Sequence, residues 1–138
     1  MLTGLWTIGI KVPDLEKELA FHRHLGNQIV LDDTIEFNGE SFRLPLVKMG
    51  DKYLHLAEKM VYERLLSEPL PFGIAHIVYV SNEFERDVNT ALASGAVLVT
   101  DIATVSASFG DRKVAFMRAP GGWILEFIEI VSNLVPEV

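Results

Sequence analysis

Three side chains able to bind a metal or move a proton stand inside stretches that otherwise read as dry β-strand. They are His55 in Tyr53-Leu-His-Leu-Ala57, His76 at the head of His76-Ile-Val-Tyr-Val80, and Glu126 in Ile124-Leu-Glu-Phe-Ile128. Strand side chains alternate between faces. Glu126 therefore shares a face with Ile124 and Ile128 and has Leu125 and Phe127 behind it. A carboxylate so placed costs several kcal/mol unless a cation or strong donors satisfy it. His55 keeps Tyr53 and Ala57 on its own face, and His76 keeps Val78 and Val80. Two neutral imidazoles and one carboxylate suit a divalent first-row metal with open coordination positions. The competing account makes each histidine a hydrogen-bonded core residue and pairs Glu126 with Arg118 or Lys113 of the adjacent strand. His22 and His24 are two apart on a helix, about 200° around its axis from each other, and cannot chelate together. They are expected to face solvent near the helix C-terminus, where a cationic ring is favourable.

The elements that would position these residues repeat. Thr7-Ile-Gly-Ile-Lys-Val12 reads as a strand, and Asp14 caps a helix with Leu15, Leu19 and Phe21 to Leu25 as its apolar stripe, ending at Gly26. At an offset of 69, His76-Ile-Val-Tyr-Val80 is a second strand, Asn82-Glu-Phe-Glu85 opens a second helix, and Gly95 answers Gly26. Glycine just past a helix end supplies the left-handed conformation there. At an offset of 71, Leu44–Gly50 lies over Ala115–Gly121 and Tyr53–Glu58 over Ile124–Glu129. Each of these pairs reads as a β-hairpin, with turns at Gly50-Asp51 and Pro120-Gly121-Gly122. The predicted fold class is α+β: one domain, 1–138, of two tandem βαβββ modules, about 4–58 and about 74–131, joined by a connector over 59–73. Their strands form a curved mixed sheet that encloses a metal or ligand cup, with His55, His76 and Glu126 on three strands at repeat-related places.

Composition narrows the chemistry. The chain has 138 residues, no cysteine and a formal charge of −7. No disulfide, thiolate site or cysteine nucleophile is available, so any metal sits on nitrogen and oxygen ligands. The acidic field repels phosphate backbones and anionic lipid, which argues against nucleic-acid and membrane partners. No apolar run approaches the ~18 residues that span a bilayer, and Met1–Trp6 carries no basic residue of a leader. The expectation is a cytoplasmic protein. Dinucleotide, P-loop, serine-hydrolase and zincin motifs are all missing from the sequence.

These segments resemble the vicinal oxygen chelate superfamily, which includes glyoxalase I, methylmalonyl-CoA epimerase, extradiol dioxygenases and fosfomycin- and bleomycin-resistance proteins. Ile8–Glu16 is similar to the family's opening segment, Ala75–Val80 to the start of its second module, and Phe116–Glu129 to its closing hairpin. The resemblance implies a metal cup whose ligands here are His55, His76 and Glu126. The fourth family position falls on Thr7, a poor ligand, where members carry His or Gln. It implies one divalent ion (Fe, Mn, Co, Ni or Zn) and a small oxygen-rich substrate. The leading expectation is isomerase, epimerase or lyase chemistry through a metal-stabilised enolate, with Glu126, or a water it orients, as the catalytic base. The alternatives are an Fe(II) dioxygenase on the same His-His-Glu set and a metal-free drug-binding protein. The last would use Trp6, Trp123, Tyr53, Tyr79 and Phe109 as an aromatic groove. A homodimer is expected from the same resemblance. Ser106–Lys113 is expected as a polar loop over the cup, with Arg112 and Lys113 solvated at the surface or meeting an anionic substrate group.

Overall fold

The computed structural model of the chain describes residues 1–136. The first half runs β1 (Leu2–Lys11), α1 (Leu15–His24), β2 (Gln28–Leu31), β3 (Thr34–Phe37), β4 (Glu40–Arg43), β5 (Leu46–Met49) and β6 (Lys52–Ala57). A 3-10 turn at Glu63–Leu65 interrupts the connector. The second half runs β7 (Gly73–Ser81), α2 (Phe84–Ala93), β8 (Val97–Leu98), β9 (Ala103–Ala107), β10 (Gly110–Arg118) and β11 (Ile124–Ile130).

One open mixed sheet carries the order β2-β5-β6-β1-β7-β11-β10-β8, with β9 beside β10. The first strands of the two halves meet at its centre as an antiparallel pair, and each has its own half's last strand parallel beside it, β6 on β1 and β11 on β7. Parallel neighbours need a crossover, which α1 and α2 supply. Hairpin β3–β4, which answers β9 and the start of β10 in the second half, lies outside this sheet.

The alternation expected along β6 and β11 is what divides the core. Leu54 and Leu56 pack with Leu15 and Leu19 of α1, while Leu125 and Phe127 pack with Phe84 and Val88 of α2. Opposite residues, Tyr53 and Ala57 with Ile124 and Ile128, face a separate cluster containing Trp6, Val78 and Phe116. Ile35, Phe37 and Phe42 of β3–β4 and Met60–Tyr62 of the connector close over that cluster. The sheet is therefore covered on both faces, and the cup lies on the face without helices. Lys11 Nζ pins the connector down: it donates to Glu63 Oε2 (2.7 Å) and to the Leu70 carbonyl (2.8 Å), and both charged side chains are buried.

The turn chemistry agrees with expectation at α1, where Asp14 accepts from Lys17 N (3.2 Å), and at Gly26 and Gly95, whose φ values are 84° and 105°. Elsewhere it differs. His22 is buried, not solvent-facing, whereas Phe21 and Leu25 are exposed. Leu15, Leu19 and His22 stand at i, i+4 and i+7, one face of a helix, so His22 takes the last core position of α1, with its Nδ1 3.1 Å from Asn27 Nδ2. Helix α2 begins at Phe84, within the expected opening, and Ser81 Oγ accepts from Glu83 N (3.0 Å). The stretch Ser106–Lys113 is hairpin rather than loop: β9 pairs with β10 around a turn at Ser108-Phe109.

Candidate functional site

Strand register brings the three predicted residues to one place. Gly9 on β1 is the register partner of both His55 on β6 and His76 on β7. Glu126 on β11 pairs with Val78, two residues beyond His76. All three are buried and line one cavity of about 50 Å³ within a single chain, walled by Trp6, Phe37, Phe109 and Phe116. Thr7 is fully buried and its Oγ1 has no partner among the described residues, yet it is not a wall of that cavity.

Each of the three has a distinct environment. The His76 ring lies against Gly9, and its Nδ1 is 2.9 Å from the Tyr62 hydroxyl. Burial pulls its pKa down to about 3, and nearby His55 pulls the same way. His55 stands edge-on to Trp6, with ring centroids 5.5 Å apart, and its buried Nε2 finds no partner among the described residues. Burial, then the charge of Arg112, pulls its pKa down to about 4. Both rings are therefore neutral at pH 7, the form that binds metals. Neither Arg118 nor Lys113 pairs with Glu126: Arg118 donates to the Gly122 carbonyl and Lys113 to Glu85. Among the described residues the Glu126 carboxyl makes no ion pair, and burial pushes its pKa up to about 8 against an opposing pull from Arg112.

One residue of this site was misplaced in the sequence reading and another went unread. Arg112 is not solvated but 1% exposed and part of the cavity wall. Its place was legible, since Arg112, Val114 and Phe116 alternate along one face of β10. Tyr62 comes from the connector, where no periodicity marks it. Of the aromatic residues proposed for a groove, Trp6, Tyr53 and Phe109 share the cup face. Tyr79 instead packs edge-on to Phe127 on the helix side, and Trp123 is exposed.

No family model and no curated protein matches the chain. Solved structures do. A methylmalonyl-CoA epimerase of Streptomyces coelicolor, in complex with 2-nitronate-propionyl-CoA, aligns at a TM-score of 0.71 and 20% identity over 96% of this chain and 100% of that one. A hypothetical protein of Bacillus halodurans C-125 aligns at 0.68 and 19%, over 96% and 98%. A catechol 2,3-dioxygenase aligns at 0.65 and 18%, over 97% of this chain and 45% of its own length. The chain has the vicinal oxygen chelate fold. His55 and Glu126 stand on the last strands of the two halves and His76 on the first strand of the second.

The donor set fits a divalent ion by its chemistry. Among the described residues it offers an unpartnered buried imidazole nitrogen, a second neutral imidazole and a buried carboxyl in no ion pair, all on one cavity. Among the described residues these donors do not close into a metal-ligand cluster. No helix of the described residues is long and apolar enough to cross a membrane.

Proposed function

We propose that the chain is a vicinal oxygen chelate enzyme that moves a proton next to a carbonyl in a small substrate, as an isomerase, epimerase or lyase does. His55, His76 and Glu126 form its site and hold one divalent ion. The observation that supports this reading is a carboxyl group and two neutral imidazoles facing one apolar cavity, with no cation paired to the carboxyl.

A divalent ion bound there supplies Lewis acidity at the substrate oxygen, lowering the barrier by several kcal/mol. The protein does the rest. In its ionised form Glu126 takes the proton from the carbon beside the carbonyl, while the electron pair of the broken C–H bond moves toward the carbonyl oxygen. The same carboxylic acid then returns the proton to give the product. Trp6, Phe109 and Phe116 keep water from quenching the charged species, and charges interact more strongly in such a dry site. Gly9 and Tyr62 fix the ring of His76.

Elemental analysis of the protein purified without chelator tests this reading, together with turnover of 2-oxo acids, dicarbonyls and thioesters. One equivalent of metal is expected, lost in His55→Ala and His76→Ala, and proton exchange is expected to be lost in Glu126→Gln. Metal content and turnover unchanged in all three variants overturn it. The alignment to a catechol 2,3-dioxygenase supports a second reading, Fe(II)-dependent oxygen chemistry at the same residues. Bound iron with oxygen uptake selects it. The cavity is far smaller than the roughly 300–1,000 Å³ of a site for a drug-sized ligand, which weighs against a drug-binding role.

A further inference from the structure

Trp6 stands where strand alternation does not put it. Positions 6, 8 and 10 of β1 would share one face, and Ile8 and Ile10 do pack on the helix side with Leu15 and Leu19. Trp6 lies in the opposite cluster, with the cup residues. The register explains the reversal. Leu5 is opposite Tyr79 and Thr7 is opposite Val78, so Trp6 is the extra residue of a β-bulge on β1. A bulge bends its strand and re-aims a side chain, and bulges gather beside functional sites.

The re-aimed indole is a partition. On one side lies the cavity of about 50 Å³ that holds His55, His76 and Glu126. On the other is a hollow of about 510 Å³, bounded by the first residues of β1 and β6, the last of β7 and β11, and the C-terminal segment. Among the described residues, Trp6 alone lines both. The other walls are tied down. Met60, Val61 and Tyr62 close the connector end, which the buried Lys11–Glu63 pair seats. Arg43 joins hairpin β3–β4 to Asp32 and to Glu16 of α1. The C-terminal segment is fixed where Leu134 N donates to the Phe109 carbonyl (2.9 Å) and the Tyr53 hydroxyl to the Pro136 carbonyl (2.6 Å). The Trp6 indole, by contrast, is held among the described residues by ring contacts with Tyr53, His55, Phe109 and the Arg112 guanidinium, and by no hydrogen bond.

We infer that Trp6 is the gate of the cup, and that molecules reach His55 and His76 from the hollow when the indole turns aside. A cavity of about 50 Å³ admits nothing of substrate size unless a wall moves. Turning the indole breaks stacking but no hydrogen bond, and its place on a bulge leaves the paired strands undisturbed. Such openings of a side chain or loop are a common way to pass substrate and then shut out water. The inference rests on the cup being a binding site, as proposed above, but neither on the metal nor on the reaction.

The chain has no cysteine, so a single introduced thiol can be capped and uncapped at will. Gly4 lines the hollow, and a Cβ built on it meets nothing within 4 Å. Gly4→Cys, capped with a benzyl group through a mixed disulfide and uncapped with a reductant, therefore plugs the hollow without touching the cup. The readout is carbethoxylation of His55 and His76 by diethyl pyrocarbonate on chelator-treated protein, followed by mass spectrometry of their peptides. Exposed His24 is the internal standard. Capping is expected to slow both buried rings at least about tenfold and reduction to restore them, with His24 unchanged. Trp6→Ala is expected to speed both rings. Where that variant does not fold, the capped and uncapped forms of Gly4→Cys still decide. Equal rates in the two forms, or no reaction of either ring, overturn the gate. A block from Ser41→Cys, capped the same way on hairpin β3–β4, with none from position 4, would move the entrance to that hairpin and overturn it too. Absence of metal beside a cap-sensitive reaction would sink the proposed function and leave the gate standing.

Discussion

The imidazole of His76 occupies the space where Gly9 has no side chain: a Cβ built on Gly9 would lie 2.6 Å from Nε2 and 2.7 Å from Nδ1 of the ring. Carbon atoms do not approach so closely, and the obstacle is a buried ring already held by Tyr62 at its other edge. The smallest possible side chain at position 9 is therefore expected to evict His76 from the cup.

Gly9→Ala should cost about 1–3 kcal/mol, as overpacking of a filled core does. It should also reduce metal uptake as strongly as removal of the histidine. Denaturant melts of Gly9→Ala, His76→Ala and the double variant form a cycle. The double variant is expected to recover most of the loss, because the clash has gone. A fully additive cycle would show that the two positions do not meet.

Most of this arrangement can be traced to particular residues in the sequence. The alternation around His55 and Glu126 gave their facing correctly, because Leu54, Leu56, Leu125 and Phe127 leave only one face for each polar side chain. The helix-ending glycines marked the repeat. What stayed hidden depends on parts of the chain without periodicity. Hairpin β3–β4 closes the cup, and its counterpart in the second half, β9 with the start of β10, stays joined to the main sheet. Tyr62 reaches His76 from the connector because Lys11 and Glu63 hold that segment down. His22 and Arg112 were misplaced for a common reason: charge was read as a sign of solvent, although spacing put both on apolar faces.

The buried titrating groups fix how stability of the metal-free protein follows pH. His55 and His76 have folded pKa values lowered from 6.5 to about 4 and about 3, mainly by burial. Their contribution is complete above pH 6.5 and is lost as pH falls below it, since the unfolded chain then takes up protons that the folded one refuses. Glu126 is raised from 4.5 to about 8 by burial, so its contribution is complete below pH 4.5 and is lost as pH rises toward 8. Arg112 and Tyr62 are the other polar groups around it. Two histidines against one carboxyl make stability rise from pH 4.5 to 6.5, and the carboxyl alone makes it fall from 6.5 to 8. Each net proton is worth about 1.4 kcal/mol per pH unit. Urea melts across this range should show a maximum near pH 6.5, and added divalent metal should remove the alkaline decline. A flat profile between pH 6.5 and 8 would mean that Glu126 is already ionised.

The Lys11–Glu63 pair is buried at both ends, with the carboxylate also accepting from Met60 N (3.1 Å). Removing one partner leaves an uncompensated charge, so Glu63→Gln and Lys11→Met should each lose about 3–5 kcal/mol. Replacing both, as Lys11→Met with Glu63→Leu, should restore much of that, because two buried charges are exchanged for apolar contact. Chemical denaturation of the three variants measures this. Single variants within about 0.5 kcal/mol of the parent would place the pair among exposed ones, and the connector would then be seated by Tyr62 and its apolar neighbours instead.

Tyr62 decides which nitrogen of His76 is free. Burial and the nearby Glu126 and Glu63 carboxyls raise its pKa, so it stays a neutral phenol. The 2.9 Å contact with Nδ1 allows either direction, and the tautomer is assigned from what each direction permits. With the phenol donating, Nε2 carries the hydrogen. With a metal on Nε2, Nδ1–H must donate to the phenol oxygen, and Tyr62→Phe removes that acceptor from a buried N–H. Loss of such a partner typically lowers metal affinity about 10–100-fold. Competition with a chelator of known affinity should show that drop in Tyr62→Phe, with folding little changed because ring packing against Phe116 survives. An affinity equal to that of the parent would mean that His76 does not bind metal through Nε2, and would reduce the ligand set to His55 and Glu126.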